Sequence, residues 1–151
     1  MRKLPITDEE SVLFTKIVRK INFFASMNMG LLEKILGHIA YYSFDKGEKI
    51  CRQGDPGDSF YVVAEGKLSV NVKGGLLSFS KKVAELGPGS CFGEMALLSR
   101  APRTATVACE EPSKLFVLLA DHFEAALAQN PAFAEEIRKL AADRKFELDH
   151  K

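Results

Sequence analysis

The sequence predicts a mainly β protein with flanking helices: an eight-stranded, double-sheet jelly-roll barrel with N-terminal helices and a two-helix C-terminal lid. Three observations carry this expectation. Apolar residues recur at three- and four-residue steps before residue 40 and again after residue 119, but at alternate positions in between. Short β-prone runs in the middle section are punctuated by Gly, Pro and Asp. The chain of 151 residues, 46% hydrophobic and 27% charged, can bury a proper core and reads as one domain over residues 1–151.

Residues 1–40 are assigned to the N-terminal helices. Thr7, with Glu10 three residues on, has the form of a capping box, whose side chains satisfy free N–H groups of a helix's first turn. Val12, Leu13, Ile17, Val18, Ile21 and Phe24 then fall at helical spacing. Ser26-Met27-Asn28-Met29-Gly30 breaks the pattern as a turn, and Leu31, Leu32, Ile35, Leu36 and Ile39 make a second stripe. Both stripes are read as packing surface.

The barrel is assigned to residues 41–119. Asp45-Lys46-Gly47 is a turn and residues 48–53 a short strand. Asp55-Pro56-Gly57-Asp58 places Pro and Gly where a type II turn takes them. Residues 60–64 form a strand turned by Glu65-Gly66. Leu68, Val70 and Val72 then alternate with Ser69, Asn71 and Lys73, giving one buried face. Gly74-Gly75 is a turn, and residues 82–86 a strand closed by Gly87-Pro88-Gly89. Residues 104–109 and 114–118 are the last strands, joined through Glu110-Glu111-Pro112.

Between residues 89 and 107 lies the stretch with the most chemistry. Gly89 and Gly93 let the backbone turn and let a ligand approach closely. Residues 95–98 suit one or two helical turns, and a helix starting at Gly93-Glu94 would present free N–H groups to an anion. Pro102 ends that turn, and the planar guanidinium of Arg103 suits phosphate oxygens. Glu94, acceptor-only when ionised, can take a hydrogen bond from a sugar hydroxyl. An acid and a base bracketing a helical turn fit a ligand with both phosphate and sugar. The alternative is a surface loop carrying a solvated Glu and Arg.

At these residues the chain resembles the cyclic-nucleotide-binding domain family. That family includes protein kinase A regulatory subunits, the bacterial catabolite activator protein and the C-terminal domains of cyclic-nucleotide-gated channels. Its phosphate-binding cassette reads Phe-Gly-Glu-x-Ala-Leu, then Pro-Arg-x-Ala-x-Val, and residues 92–107 hold both halves. Gly54-Asp55-Pro56-Gly57-Asp58 and Glu65-Gly66 also match the family's barrel signature. The resemblance implies a phosphate and ribose site at Gly93, Glu94, Met95, Ala96, Arg103 and Thr104. It also implies N-terminal helices that shift when ligand arrives.

Asp121, with Glu124 three on, opens a helix that closes near Asn130-Pro131, and a last helix runs from about residue 132 to 148. Phe133, Ile137, Leu140, Arg144 and Leu148 share one face of it, and an Arg in such a stripe is unusual. Either Arg144 snorkels to water, or the helix closes over a ligand with Arg144 at its polar edge. Here the resemblance narrows to hyperpolarisation-activated and related cyclic-nucleotide-gated channels, with which the chain runs in step from Arg103 to Arg144. It implies that Arg144 and Leu148 lid the base and that Val70, Ala84 and Leu86 line its pocket, Ala84 standing where the family carries a bulkier residue. Thr104 matches members that take cGMP and also channels that prefer cAMP, so either nucleotide fits.

Composition excludes several other classes. A net charge of +1 gives no electrostatic footprint for nucleic acid or an anionic membrane. No apolar run approaches the roughly 20 residues that span a bilayer, and charges from Asp8 to Lys20 interrupt any signal-peptide core. Cys51, Cys91 and Cys109 show neither zinc spacing nor a disulfide framework, which fits a reducing, cytoplasmic setting. A jelly roll can be a metal-dependent cupin, but His38, His122 and His150 all fall in predicted helices outside the barrel. No nucleophile–base pair is visible, so neither catalytic nor metal-binding residues are assigned and no cofactor is expected. A DNA-binding regulator would need a helix-turn-helix after the lid, and the chain ends about twenty residues past Pro131. The resulting expectation is a non-catalytic receptor for cAMP or cGMP that changes conformation to regulate a partner or an attached effector. A free-standing module and a piece of a larger channel or kinase both fit it.

Overall fold

The computed structural model describes residues 1–20, 22–25, 27, 29–74, 80–93, 101–129, 131, 132, 134, 135 and 139. Among these, nine strands form two antiparallel sheets. The five-stranded sheet runs β1 (Arg2–Leu4), β2 (Ala40–Phe44), β9 (Ser113–Leu119), β4 (Ser59–Glu65), β7 (Cys91–Phe92). The four-stranded sheet runs β3 (Lys49–Cys51), β8 (Thr106–Cys109), β5 (Leu68–Lys73), β6 (Ser80–Leu86). Four helices are described: α1 (Asp8–Val18), α2 (Asn22–Ala25), α3 (Met29–Leu36) and α4 (Ala120–Ala128). The double-sheet architecture is the one expected, with β2 to β9 as its eight strands. The addition is β1, whose Arg2, Lys3 and Leu4 pair with Ser43, Tyr42 and Tyr41. Three residues, two of them charged, are too few to show a strand period.

The five-stranded sheet is covered on both sides. Phe60, Val62 and Ala64 of β4 join Phe116, Leu118 and Tyr41 in a core shared with the helices. Val63 and Leu115 point the other way and meet Leu68, Val107 and Cys109 of the second sheet. A central strand buried on both faces loses its alternation and reads as a continuous apolar run. On the helix side Phe24 lies 5.6 Å from Phe60 and 6.1 Å from Phe123 of α4, centroid to centroid.

Helix α1 has the predicted capping box: Thr7 N–H donates to Glu10 Oε2 at 3.1 Å, and Asp8, Glu9 and Glu10 place negative charge at the positive helix end. The stripe assigned to α1 needs correction. Val12 is 67% exposed and Leu13 36%, whereas Phe14 and Val18 are buried. Three consecutive apolar residues, 12–14, leave the helix phase ambiguous. Phe14 decides it by packing edge-on against Phe116, centroids 5.4 Å apart. The helix also ends earlier than the stripe implied. Arg19 Nη1 gathers the carbonyls of Phe24 at 3.2 Å and Ala25 at 3.4 Å in the short α2, and of Met27 beyond it at 2.6 Å, so a charged side chain serves carbonyls at the end of that helix. In α3 the expected residues Leu31, Leu32 and Ile35 are buried.

Three further expectations shift. The turn before β4 falls at residues 52–55, with Asp55 N–H bonded to Arg52 O at 3.1 Å and Gly54 at φ +90°, rather than at Pro56-Gly57. In β5, Ser69 is buried and bonded by Asn71 Nδ2 at 2.9 Å, whereas Val70 and Val72, expected on the buried face, are only half-buried, and the register against β6 shifts between Val70 and Asn71. Helix α4 begins at Ala120 with Leu119 as its N-cap, and Ala120 N–H bonds Asp58 O at 2.9 Å. Beyond it, residues 131, 132, 134, 135 and 139 are helical, and the rest of the expected lid helix lies outside the described residues.

Candidate functional site

The site is built around Arg103, which the loop between β3 and β4 holds by its backbone. Arg103 N–H donates to Asp55 O at 2.8 Å, and Gly54 N–H donates to Arg103 O at 2.8 Å. Gly54 can present its N–H there because it adopts a left-handed conformation that L side chains rarely take. Gln53 anchors the same loop from outside: its N–H donates to Thr106 Oγ1 at 2.9 Å, and its side-chain amide pairs with both backbone groups of Lys73 at 2.7 Å. This amide continues the β8 side of β5 past the end of the strand pairing.

The Arg103 side chain points inward and is only 8% exposed. Its Nη2 donates to Ser59 O at 2.6 Å, and the Asp58 carboxylate lies 3.9 Å away. Its Cζ sits 5.6 Å from the centre of the Tyr61 ring, which stacks on Phe92 at 4.8 Å with planes 17° apart. A guanidinium this far from water must be compensated, and these groups compensate it. Gly93 follows Phe92 at φ +82°. A Cβ there would lie 2.5 Å from Arg103 Nη1 and 2.7 Å from Ser59 O. Since Ser59 O is backbone, no side chain fits at this position.

Local electrostatics follow from the burial. Desolvation holds the Tyr61 phenol and the Cys51 thiol above their ordinary values, the Arg103 charge opposing both shifts. Cys51 is therefore a protonated packing thiol and not an activated nucleophile. Among the described residues no group of three or more His, Cys, Asp or Glu is placed to hold a metal. His38, just after α3, and His122, in α4, stack on one another at 4.7 Å on the helix side, away from Arg103.

Of the residues singled out from the sequence, Gly93 and Arg103 are brought into contact. Val70 and Leu86 pack on the inter-sheet core together with Tyr61 and Phe92. Ala84 pairs with Val70 across β5 and β6 and is exposed, so it stands at the rim of this cluster. Thr104 is exposed in a bend, since β8 starts at Thr106 and not at residue 104. Glu94, Met95, Ala96, Arg144 and Leu148 lie outside the described residues. The sequence places Asp58 and Phe92 inside matched motifs without a site role, and gives none to Ser59 or Tyr61. The available signal was the period of two in β4, which sets Ser59 and Tyr61 on the face opposite Phe60 and Val62.

A cleft of ≈ 610 Å³ opens elsewhere, on the outer face of the four-stranded sheet, lined by Lys49, Gln53, Asn71, Lys73, Ser80 and Thr106. It is separate from the Arg103 site because Thr106 and Ala108 alternate with the inward Val107 and Cys109.

A protein-family model described as "Cyclic nucleotide-binding domain" matches residues 42–130. The chain belongs to the cyclic nucleotide-binding domain family. A cyclic nucleotide-gated potassium channel of Mesorhizobium japonicum is 34% identical over 130 residues, covering 86% of this chain and 34% of the channel. Human potassium/sodium hyperpolarization-activated cyclic nucleotide-gated channel 3 is 30% identical over 145 residues, 95% of this chain and 18% of that protein. The chain thus spans about a third or less of the curated relatives it matches. Among solved structures, the N-terminal domain of a transcriptional regulator from Streptomyces coelicolor superposes with a TM-score of 0.74 at 25% identity, covering 89% of this chain and 92% of that one. The regulatory domain of Toxoplasma gondii PKA, crystallised with cAMP, shares the fold at a TM-score of 0.72 and 23% identity, over 92% of this chain and 51% of that one. Among the described residues no helix is long and apolar enough to cross a membrane.

Proposed function

We propose that this chain is a single-domain, non-catalytic receptor module, cytoplasmic, that binds cAMP or cGMP and passes a conformational change to an effector. The observation that carries this reading is a desolvated guanidinium, Arg103, set against a glycine where no side chain fits, on the inter-sheet face of a cyclic nucleotide-binding fold. A guanidinium has five donors. Ser59 O takes one from Nη2, and a cyclic phosphate arriving over Gly93 would take others in the bidentate geometry that Arg favours. Glu94 would accept from the ribose hydroxyl, with Met95, Ala96 and Thr104 beside the phosphate. Val70, Ala84 and Leu86 would meet the base, and Arg144 and Leu148 would close on it. The ligand can shift the module between open and closed forms only by its differential affinity for the two.

Calorimetry on nucleotide-free protein, with cAMP and cGMP titrated in parallel, tests the reading. Saturable binding of at least one nucleotide is expected, weakened more than about tenfold by Arg103→Lys, which keeps the charge and loses the fork. No heat from either nucleotide, or equal affinity of wild type and a folded Arg103→Lys, would leave an interaction module that has kept the fold without the ligand.

A further inference from the structure

We propose that Tyr61 is a positioning residue for Arg103: its ring, backed by Phe92, is the fixed wall that holds the guanidinium where an anion can reach it. The inference rests on the reading of Arg103 as the phosphate residue. The wall is part of the sheet itself. Tyr61 pairs with Val117 of β9 on one side and with Phe92 of β7 on the other, so its backbone is pinned from both edges. The Phe92 ring lies nearly parallel at 4.8 Å, and the two aromatics share the inter-sheet cluster with Val63, Val70 and Leu86.

Arg103 has contacts of differing stiffness around it. Asp58 is 69% exposed and 3.9 Å away, a solvent-screened partner whose carboxylate also accepts from Ser59 Oγ at 3.0 Å. Ser59 O is a rigid backbone acceptor and, among the described residues, takes Nη2 alone. Tyr61 adds a second rigid constraint. Its electron-rich face, 5.6 Å from Cζ, attracts the cation and blocks one side of its arc. Gly93, having no Cβ, lets the Nη1 end of the guanidinium seat closely against its backbone. A guanidinium already held in place loses less freedom when an anion binds, so the ring contributes to affinity without touching ligand.

An aliphatic residue at position 61 would fill much of the same volume and offer no π-face, which makes the decisive experiment a comparison of Tyr61→Leu with Tyr61→Phe. In nucleotide-free protein, the Arg103 side-chain resonances should carry an upfield ring-current shift that Tyr61→Leu abolishes and Tyr61→Phe retains. In calorimetry with cAMP and cGMP, Tyr61→Leu should weaken binding by about five- to tenfold, and Tyr61→Phe should recover most of that loss. In an Arg103→Gln background, which has no cation to hold, Tyr61→Leu should cost less than about twofold by the logic of a double-mutant cycle. Should the leucine variant fail to fold, Tyr61→Met serves as the apolar replacement. An unshifted Arg103 in the wild type, or equal losses in both arginine backgrounds, would overturn the positioning role. If the ring-current shifts are as expected but Arg103→Gln binds like wild type, the failure lies in the phosphate reading.

Discussion

The two faces of β4 make different materials from adjacent residues. Phe60 and Val62 are fully buried against the helices, in a core of aromatic and aliphatic groups from α1, α3, α4, β2 and β9. Ser59 and Tyr61, one residue out of step, face the second sheet and hold a charged guanidinium. Both faces are shielded from water, yet one is lined by aromatic and aliphatic groups and the other carries a cation whose partners among the described residues include a carbonyl, a carboxylate and a ring. Stability and ligand chemistry are therefore separated by the pleat of a single strand. Substitutions on opposite faces should have separable consequences.

The strongest way to test that separation is to hollow the helix side. Phe116→Ala removes a ring that touches Phe14 and Tyr41 at 5.4 Å and 4.6 Å. It should cost about 3–5 kcal/mol of stability in urea unfolding, while the molecules that remain folded keep their nucleotide affinity. Loss of affinity out of proportion to the unfolded fraction would show that the two faces are coupled.

Gly93→Ala attacks the other face. It strains a φ of +82° and drives a Cβ onto Ser59 O, a cost of about 1–3 kcal/mol. Some of that strain should be relieved by displacing Arg103, so nucleotide binding should fall further than stability does. A stable variant with undiminished affinity would mean the guanidinium needs no such close seat. Asp58→Asn removes only the exposed carboxylate beside Arg103. Because an exposed pair is worth about 0–1 kcal/mol, the affinity change should stay within about fivefold.

The smallest effect belongs to a third place, the first turn of α1. The Thr7 hydroxyl bond, with help from backbone N–H groups, holds the Glu10 carboxyl below its ordinary value of 4.5. A carboxylate with a lowered folded-state value stabilises the native form above about pH 4.5, and the contribution fades as pH falls through the lower folded value. Amide exchange in α1 should therefore speed up on acidification in the wild type. In Glu10→Ala it should already be faster at neutral pH and gain less from acid. Identical pH profiles for the two proteins would remove the capping box from the account of this helix.

Patterns that depend on neighbours along the chain were legible from the residues alone. The change of hydrophobic period locates the helices and the sheet section, because side-chain direction repeats every 3.6 residues in a helix and every two in a strand. The capping box at Thr7 and Glu10 and the turn ending in Gly47 are likewise local. Each rests on a backbone group that one nearby residue type can satisfy. The tertiary structure alone decided the phase and the faces. Residues 12–14 are all apolar, and Phe14 turns inward because Phe116 is there to receive it. Gly54 rather than Gly57 takes the left-handed turn, since its N–H is needed by the Arg103 carbonyl, 49 positions away by number. Tyr61 is one aromatic among eleven Phe and three Tyr until the register of β4 against β7 brings it under Arg103 and over Phe92. Contacts between distant segments leave no periodic trace in either segment, so their chemistry emerges only when the sheets are assembled.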